Sequence, residues 1–259
     1  MKNCLKGFIK ERFIDRLTPA VKYLLLINLG VSVFFYLFFL ITGIELQYYF
    51  SIYPTYSEHF HLYQLFTFLF VHSINPTHIV YNVLYLLLFA PFFERKFGLR
   101  KFIVGYFLCA WIGFIFINYS YYRDKEIVEK RISATGINPK TIPLNEMHKV
   151  DQIYFSQLNE KEKIAVEEYN EVTSKTQGSS GALFGFVVFY LFLNSLNYRK
   201  ILFVALGFHL LYSNLEVFFQ PSSLSHGSCF AHFGGMLGGF FCVCYYWFNK
   251  FMEKEKKLS

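Results

Sequence analysis

Six apolar blocks, at about 23–43, 64–92, 102–121, 179–196, 201–219 and 229–248, dominate this chain of 259 residues. Each has the length needed to cross a hydrocarbon core about 30 Å thick, which takes roughly 20 helical residues. The runs are continuous, whereas the strands of a membrane barrel alternate every second residue, so an all-α membrane protein built as a helical bundle is expected. At 54% hydrophobic and 22% aromatic residues, the chain is too apolar for an ordinary soluble domain. The fifth block carries His209 and Glu216, which belong in a span only where they face protein or water.

The formal charge of +7 does not point to nucleic acid once the basic residues are located. Lys2, Lys6, Lys10, Arg12, Arg16 and Lys22 precede the first block. Arg95, Lys96, Arg100 and Lys101 separate the second from the third, and Arg199 and Lys200 the fourth from the fifth. Lys250, Lys254, Lys256 and Lys257 follow the sixth. Segments 44–62 and 220–228 contain no Lys or Arg. By the positive-inside rule both termini are expected in the cytoplasm, with the two connections that lack Lys and Arg and the long segment 122–177 outside. The expected location is an integral protein of a bacterial inner (plasma) membrane, with lipid bilayer as a partner and no nucleic acid.

The expected organisation is a basic amphipathic segment over 1–22, three spans over 23–121, a possibly partly helical external loop over 122–177, three spans over 178–249 and a basic tail over 250–259. Within 1–22, Phe8, Ile9, Phe13 and Leu17 fall near one helical face, which suits a membrane surface. The segment from Glu45 to Leu62 is dense in Tyr and Phe, as in an interfacial aromatic belt. In the long loop, LNEKEKIAVEEYNEV has helical spacing of Ile164, Val166 and Tyr169. The five cysteines form no disulfide framework, and Cys242 and Cys244 are read as small packing residues.

Three short stretches carry residues capable of chemistry. Gly178-Ser179-Ser180-Gly181 opens the fourth block, where unpaired N–H groups and the positive helix end favour a developing negative charge. The soluble GxSxG elbow does not match, because Ala182 stands where its second glycine belongs. By itself Ser180 suits a small-residue helix contact as well as a nucleophile. The sixth block begins GSCFAHFGGMLGG, with His232 about one turn in. Gly235 and Gly239, four apart, match Gly181 and Gly185 on the fourth block, and two such strips permit a close approach that would bring His232 to Ser180. In VHSINPTHIVYN, His78 and Asn82 share a helical face and have side chains able to donate to an oxyanion. Zinc would need His72, His78 and His232 without a carboxylate or thiol and without the i, i+4 pairing of helical sites. No metal and no cofactor are expected.

Taken together, Gly178-x-Ser180-Gly181, His78-x-x-x-Asn82, Ala231-His232-x-x-Gly235-x-x-x-Gly239 and Glu94-Arg95-x-x-Gly98 resemble the rhomboid intramembrane serine proteases. The resemblance covers nearly every block, in order. It implies a six-transmembrane-helix rhomboid bundle, with a long external loop between the third and fourth spans, and transmembrane protein substrates. It also implies that Ser180 is the nucleophile and His232 the base of a dyad, that His78, Asn82 and the Ser180 amide form an oxyanion hole, and that Glu94 is a structural tether. Phe184 stands where better-known bacterial members carry a tyrosine stacked on the catalytic histidine. The segment 122–177 is much longer than the family's usual connection. The alternatives are a catalytically inactive rhomboid-like protein that binds membrane helices and, more remotely, a small transporter.

Overall fold

The computed structural model describes residues 17–73, 76–142, 152–173, 175–193 and 227–258. The expected fifth span, with His209 and Glu216, and the amphipathic stretch 1–16 lie outside the described residues. The described chain is helical: α1 Pro19–Thr42, α2 Gln47–Phe50, α3 Gln64–Thr67, α4 Pro76–Phe97, α5 Leu99–Ala134, α6 Gln152–Ser156, α7 Glu160–Thr173, α8 Ser180–Leu193 and α9 Gly227–Leu258. Four of these, α1, α4, α5 and α9, are long and apolar enough to cross a membrane. Among the described residues the sole β pairing is an antiparallel bridge between Ile52 and Thr176.

Helix α8 is the centre of the bundle. Every residue from Gly181 to Tyr190 is buried, so the helix is apolar on all sides rather than amphipathic. Helices α4, α5 and α9 surround it. Helix α1 is peripheral: Leu26, Phe34 and Ile41 are exposed, and only Ala20, Val21, Asn28 and Phe35 are buried. What ties α1 to the bundle is Glu94. Its carboxylate accepts from the Ala20 and Val21 amides at 3.0 and 3.1 Å and from the Thr18 hydroxyl. A distant helix thereby supplies the N-terminal cap that the N-cap residue Thr18 does not make with its own side chain. One residue, Gly98 at φ +78°, turns the chain from α4 into α5. Replacing Glu94 by Ala leaves these buried donors unpaired and is expected to cost about 3 kcal/mol or more. Thermal unfolding in one detergent measures it, and Glu94→Gln, which keeps one acceptor oxygen, should lose less.

Two helices run differently from the hydropathy profile. The second block, 64–92, is not one helix: α3 ends at Thr67 and α4 begins at Pro76. Between them Phe68, Leu69 and Val71 are buried in protein, so their apolarity serves the core and not the lipid. Helix α5 continues well past the expected end at 121, through 36 residues, or about 54 Å. Charged residues end its apolar zone without ending the helix, because they pair along it: Lys130 with Glu126 at 2.6 Å and Lys125 with Glu129 at 3.8 Å. Asp124, Val128 and Ile132 repeat every fourth residue and are buried. Ile132 packs with Ile142, Ala165 and Val166, and Tyr154, Phe155 and Leu158 close around them. A small apolar core thus joins α7 to the overhang of α5. Helix α7 starts with a reciprocal cap, Asn159 Oδ1 accepting from the Glu162 amide at 3.0 Å and Glu162 Oε2 from the Asn159 amide at 2.8 Å. Helix α9 likewise runs on through the charged residues after 249, and of its three cysteines Cys229 and Cys242 are buried while Cys244 is exposed.

Candidate active site

The chain leaves α7 through a short strap, 175–179, that is fastened on all sides. Thr176 exchanges both backbone hydrogen bonds with Ile52, at 2.7 and 2.9 Å, and its hydroxyl lies 2.9 Å from the Tyr121 hydroxyl. Ser51 donates to Gln177 Oε1 at 2.9 Å. The Gly178 amide donates to the Phe68 carbonyl at 2.8 Å. Part of the aromatic segment 45–62 is therefore a brace for the strap: Ile52 and Tyr53 are buried while Tyr49 and Phe50 are exposed. Gly178 has φ +103°, and a Cβ there would stand 2.8 Å from the His78 ring. Glycine is needed for both reasons.

Ser180 opens α8, and its Oγ lies 2.8 Å from Nε2 of His232 on α9. The His232 ring stacks on Phe184, with centroids 4.2 Å apart and planes at 19°. Phe184 is one turn beyond Ser180, so the same face of α8 presents the hydroxyl and the surface that holds its partner. The approach of α8 and α9 rests on the two glycine pairs. A Cβ on Gly235 would collide with the Gly181 carbonyl and one on Gly239 with the Gly185 carbonyl. The opposite side of α9 is packed in the same way. A Cβ on Gly234 would meet Gly113 Cα at 2.8 Å, and one on Gly238 would meet Cys109 Cα at 2.8 Å. Gly113, Gly234 and Gly238 are residues that sequence reasoning missed. The GGxxGG pattern of α9 held the signal for two helix neighbours rather than one.

His78 and Asn82 stand opposite the dyad, on the first turns of α4. The Ser73 amide donates to His78 Nδ1 at 3.3 Å, which leaves Nε2 to carry the proton of a neutral ring. His72 braces this ring edge-on, with centroids 5.2 Å apart, and is itself 3.4 Å from the Ser32 hydroxyl. Asn82 is clamped twice: its Nδ2 donates to the His78 carbonyl at 2.9 Å, and its Oδ1 accepts from the Ser179 hydroxyl at 3.0 Å. One Nδ2 hydrogen is left over by these bonds. Ser179 is a further site contact that sequence reasoning passed over, since its neighbour drew the attention and its partner is 97 residues away. Ser180, His232, His78, Asn82, Phe184, Gly178 and Gly181 all line one cavity of about 650 Å³.

A hydroxyl bonded to an imidazole nitrogen can lose its proton as it attacks a carbonyl, and N–H donors facing it can hold the oxyanion that results. The model of the Rhomboid domain family matches residues 59–134 and 152–248. This chain belongs to the rhomboid family. The rhomboid match takes in α4, α5, α7, α8 and most of α9, and hence each of the cavity residues just named. Comparison with curated proteins and with solved structures gives no match. Rhomboids are integral membrane proteins, known for serine proteases that act on membrane proteins within the bilayer, and four membrane-length helices agree with that setting.

Proposed function

We propose that this rhomboid is an active intramembrane serine endopeptidase, with Ser180 as nucleophile and His232 as general base. The observation that carries the reading is the 2.8 Å contact between Ser180 Oγ and His232 Nε2 at a cavity large enough for a peptide. In this reading His232 Nε2 takes the Ser180 proton as Oγ adds to the scissile carbonyl. It then returns the proton to the leaving amine, which departs as the acyl-enzyme forms on Ser180. A water loses its proton to the same nitrogen and attacks the ester, releasing the second product and restoring Ser180. No carboxylate orients the imidazole in this scheme, and the ring stack on Phe184 takes over that task. The Ser180 amide, His78 Nε2–H and the spare Nδ2–H of Asn82 receive the oxyanion.

The same reading places six spans around the site, the termini in the cytoplasm and the chain in a bacterial plasma membrane, with 122–177 as an external insertion. Substrates are transmembrane segments unwound near one membrane face, because an intact helix shields its carbonyls. A fluorophosphonate probe applied to the folded protein tests the proposal. Labelling should fall on Ser180 alone and vanish in Ser180→Ala. Folded wild-type protein that takes no label and cleaves no reporter would instead be a helix-binding protein without catalysis. Ser179→Ala removes the hydroxyl that fixes Asn82. Steady-state kinetics should then show kcat about ten-fold lower with KM little changed, less than the 10²-fold or more expected for loss of an oxyanion donor itself.

A further inference from the structure

A second concavity, of about 420 Å³, opens between α5 and α9 at the end of the bundle near Gly98. The two helices run antiparallel in close contact from Gly113 against Gly234 to Cys109 against Gly238. The groove lies beyond that last glycine contact, where larger residues take over. Its floor is the buried pair Gly105 and Cys242, and its rims are Val104 and Phe241, which are 66% and 57% exposed. It is a slot for a chain of methylenes. At its mouth stand Arg100 and Lys101, one helical turn before Val104 and Gly105.

The charge at that mouth is one-sided. Among the described residues no acid lines the groove, and the nearest carboxylate in sequence, Glu94, is bound to Thr18, Ala20 and Val21. Lys101 lies 5.4 Å from the centre of the Tyr245 ring and Lys96 5.2 Å from that of Tyr246. These aromatic contacts hold the ammonium groups beside the apolar surface of the helices. A basic pocket between membrane helices, continuous with an apolar slot, matches one class of molecule. We propose that this groove binds an anionic phospholipid, with an acyl chain along Val104, Gly105 and Cys242 and the phosphate between Arg100 and Lys101.

The test is native mass spectrometry of the full chain released from neutral detergent, titrated with phosphatidylglycerol, with phosphatidylcholine of the same chains, and with inorganic phosphate. Phosphatidylglycerol is expected to bind at least about ten-fold tighter than phosphatidylcholine, and phosphate at the same concentrations should neither bind nor compete. Arg100→Gln with Lys101→Gln should weaken phosphatidylglycerol about thirty-fold, at about 1 kcal/mol for each lost charge. Val104→Trp keeps both charges and fills the slot from a lipid-facing position, and should weaken binding about ten-fold or more on the same scale. Unchanged melting in phosphatidylcholine shows that the variants fold. Equal binding of the two lipids, competition by phosphate, or a Val104→Trp protein that binds like wild type would each overturn the site, the last reducing it to surface attraction. Ser180→Ala protein should bind identically, so the result is independent of the proposed protease activity.

Discussion

Cleavage of a reporter substrate by His232→Ala protein is expected to fall by about four orders of magnitude or more, and Ser180→Ala and the double variant should do no worse. In the proposed mechanism the two side chains act as a unit: with the 2.8 Å hydrogen bond gone, the remaining hydroxyl has no proton acceptor. Additive losses in the double variant would mean that the serine and histidine work separately and would sink the dyad. The ring beneath the histidine refines the test. Phe184→Tyr preserves the stacked surface at 4.2 Å and should retain activity. Phe184→Ala removes it and should lose about ten-fold or more in kcat, because a catalytic group displaced by about 1 Å costs roughly a hundred-fold.

The second large effect is expected from one methyl group. Gly235→Ala places a Cβ against the Gly181 carbonyl, a backbone atom that cannot swing aside. Helices α8 and α9 must separate, which costs about 1–3 kcal/mol or more and draws His232 away from Ser180. Melting temperature and fluorophosphonate labelling should both drop, the second by about a hundred-fold. Gly30→Ala is the control. Among the described residues a Cβ on Gly30 meets nothing within 4 Å, so this change should leave activity intact and add up to about 1 kcal/mol through helix propensity. Equal damage by the two substitutions would show that glycine content, not the α8–α9 contact, is what matters.

The overhang of α5 and the small core it forms with α7 illustrate where hydropathy misleads. Residues 122–134 lose apolar character, yet α5 continues through them, because Ile132 packs with Ile142, Ala165 and Val166 while Val128 packs with Ile117, Tyr121 and Phe230. Loss of hydropathy marks the point where a helix leaves lipid and says nothing of whether the helix stops. The reverse holds at 68–71, where apolar residues outside any helix are buried by protein.

Composition and spacing alone marked this chain as a membrane protein, showed strips of small residues four apart where helices can meet, and singled out Ser180, His232, His78 and Asn82 as candidates for chemistry. Those properties are local: burial in lipid depends on runs of residues, and close helix approach depends on a missing Cβ. Only the tertiary structure decided that Glu94 caps α1, that Ser179 clamps Asn82, that α9 is wedged by glycines on both sides, and that a strap from Thr176 to Ile52 delivers Ser180. Each of these joins residues remote in the chain through a few hydrogen bonds or contacts, and no periodicity in a sequence encodes such a partner.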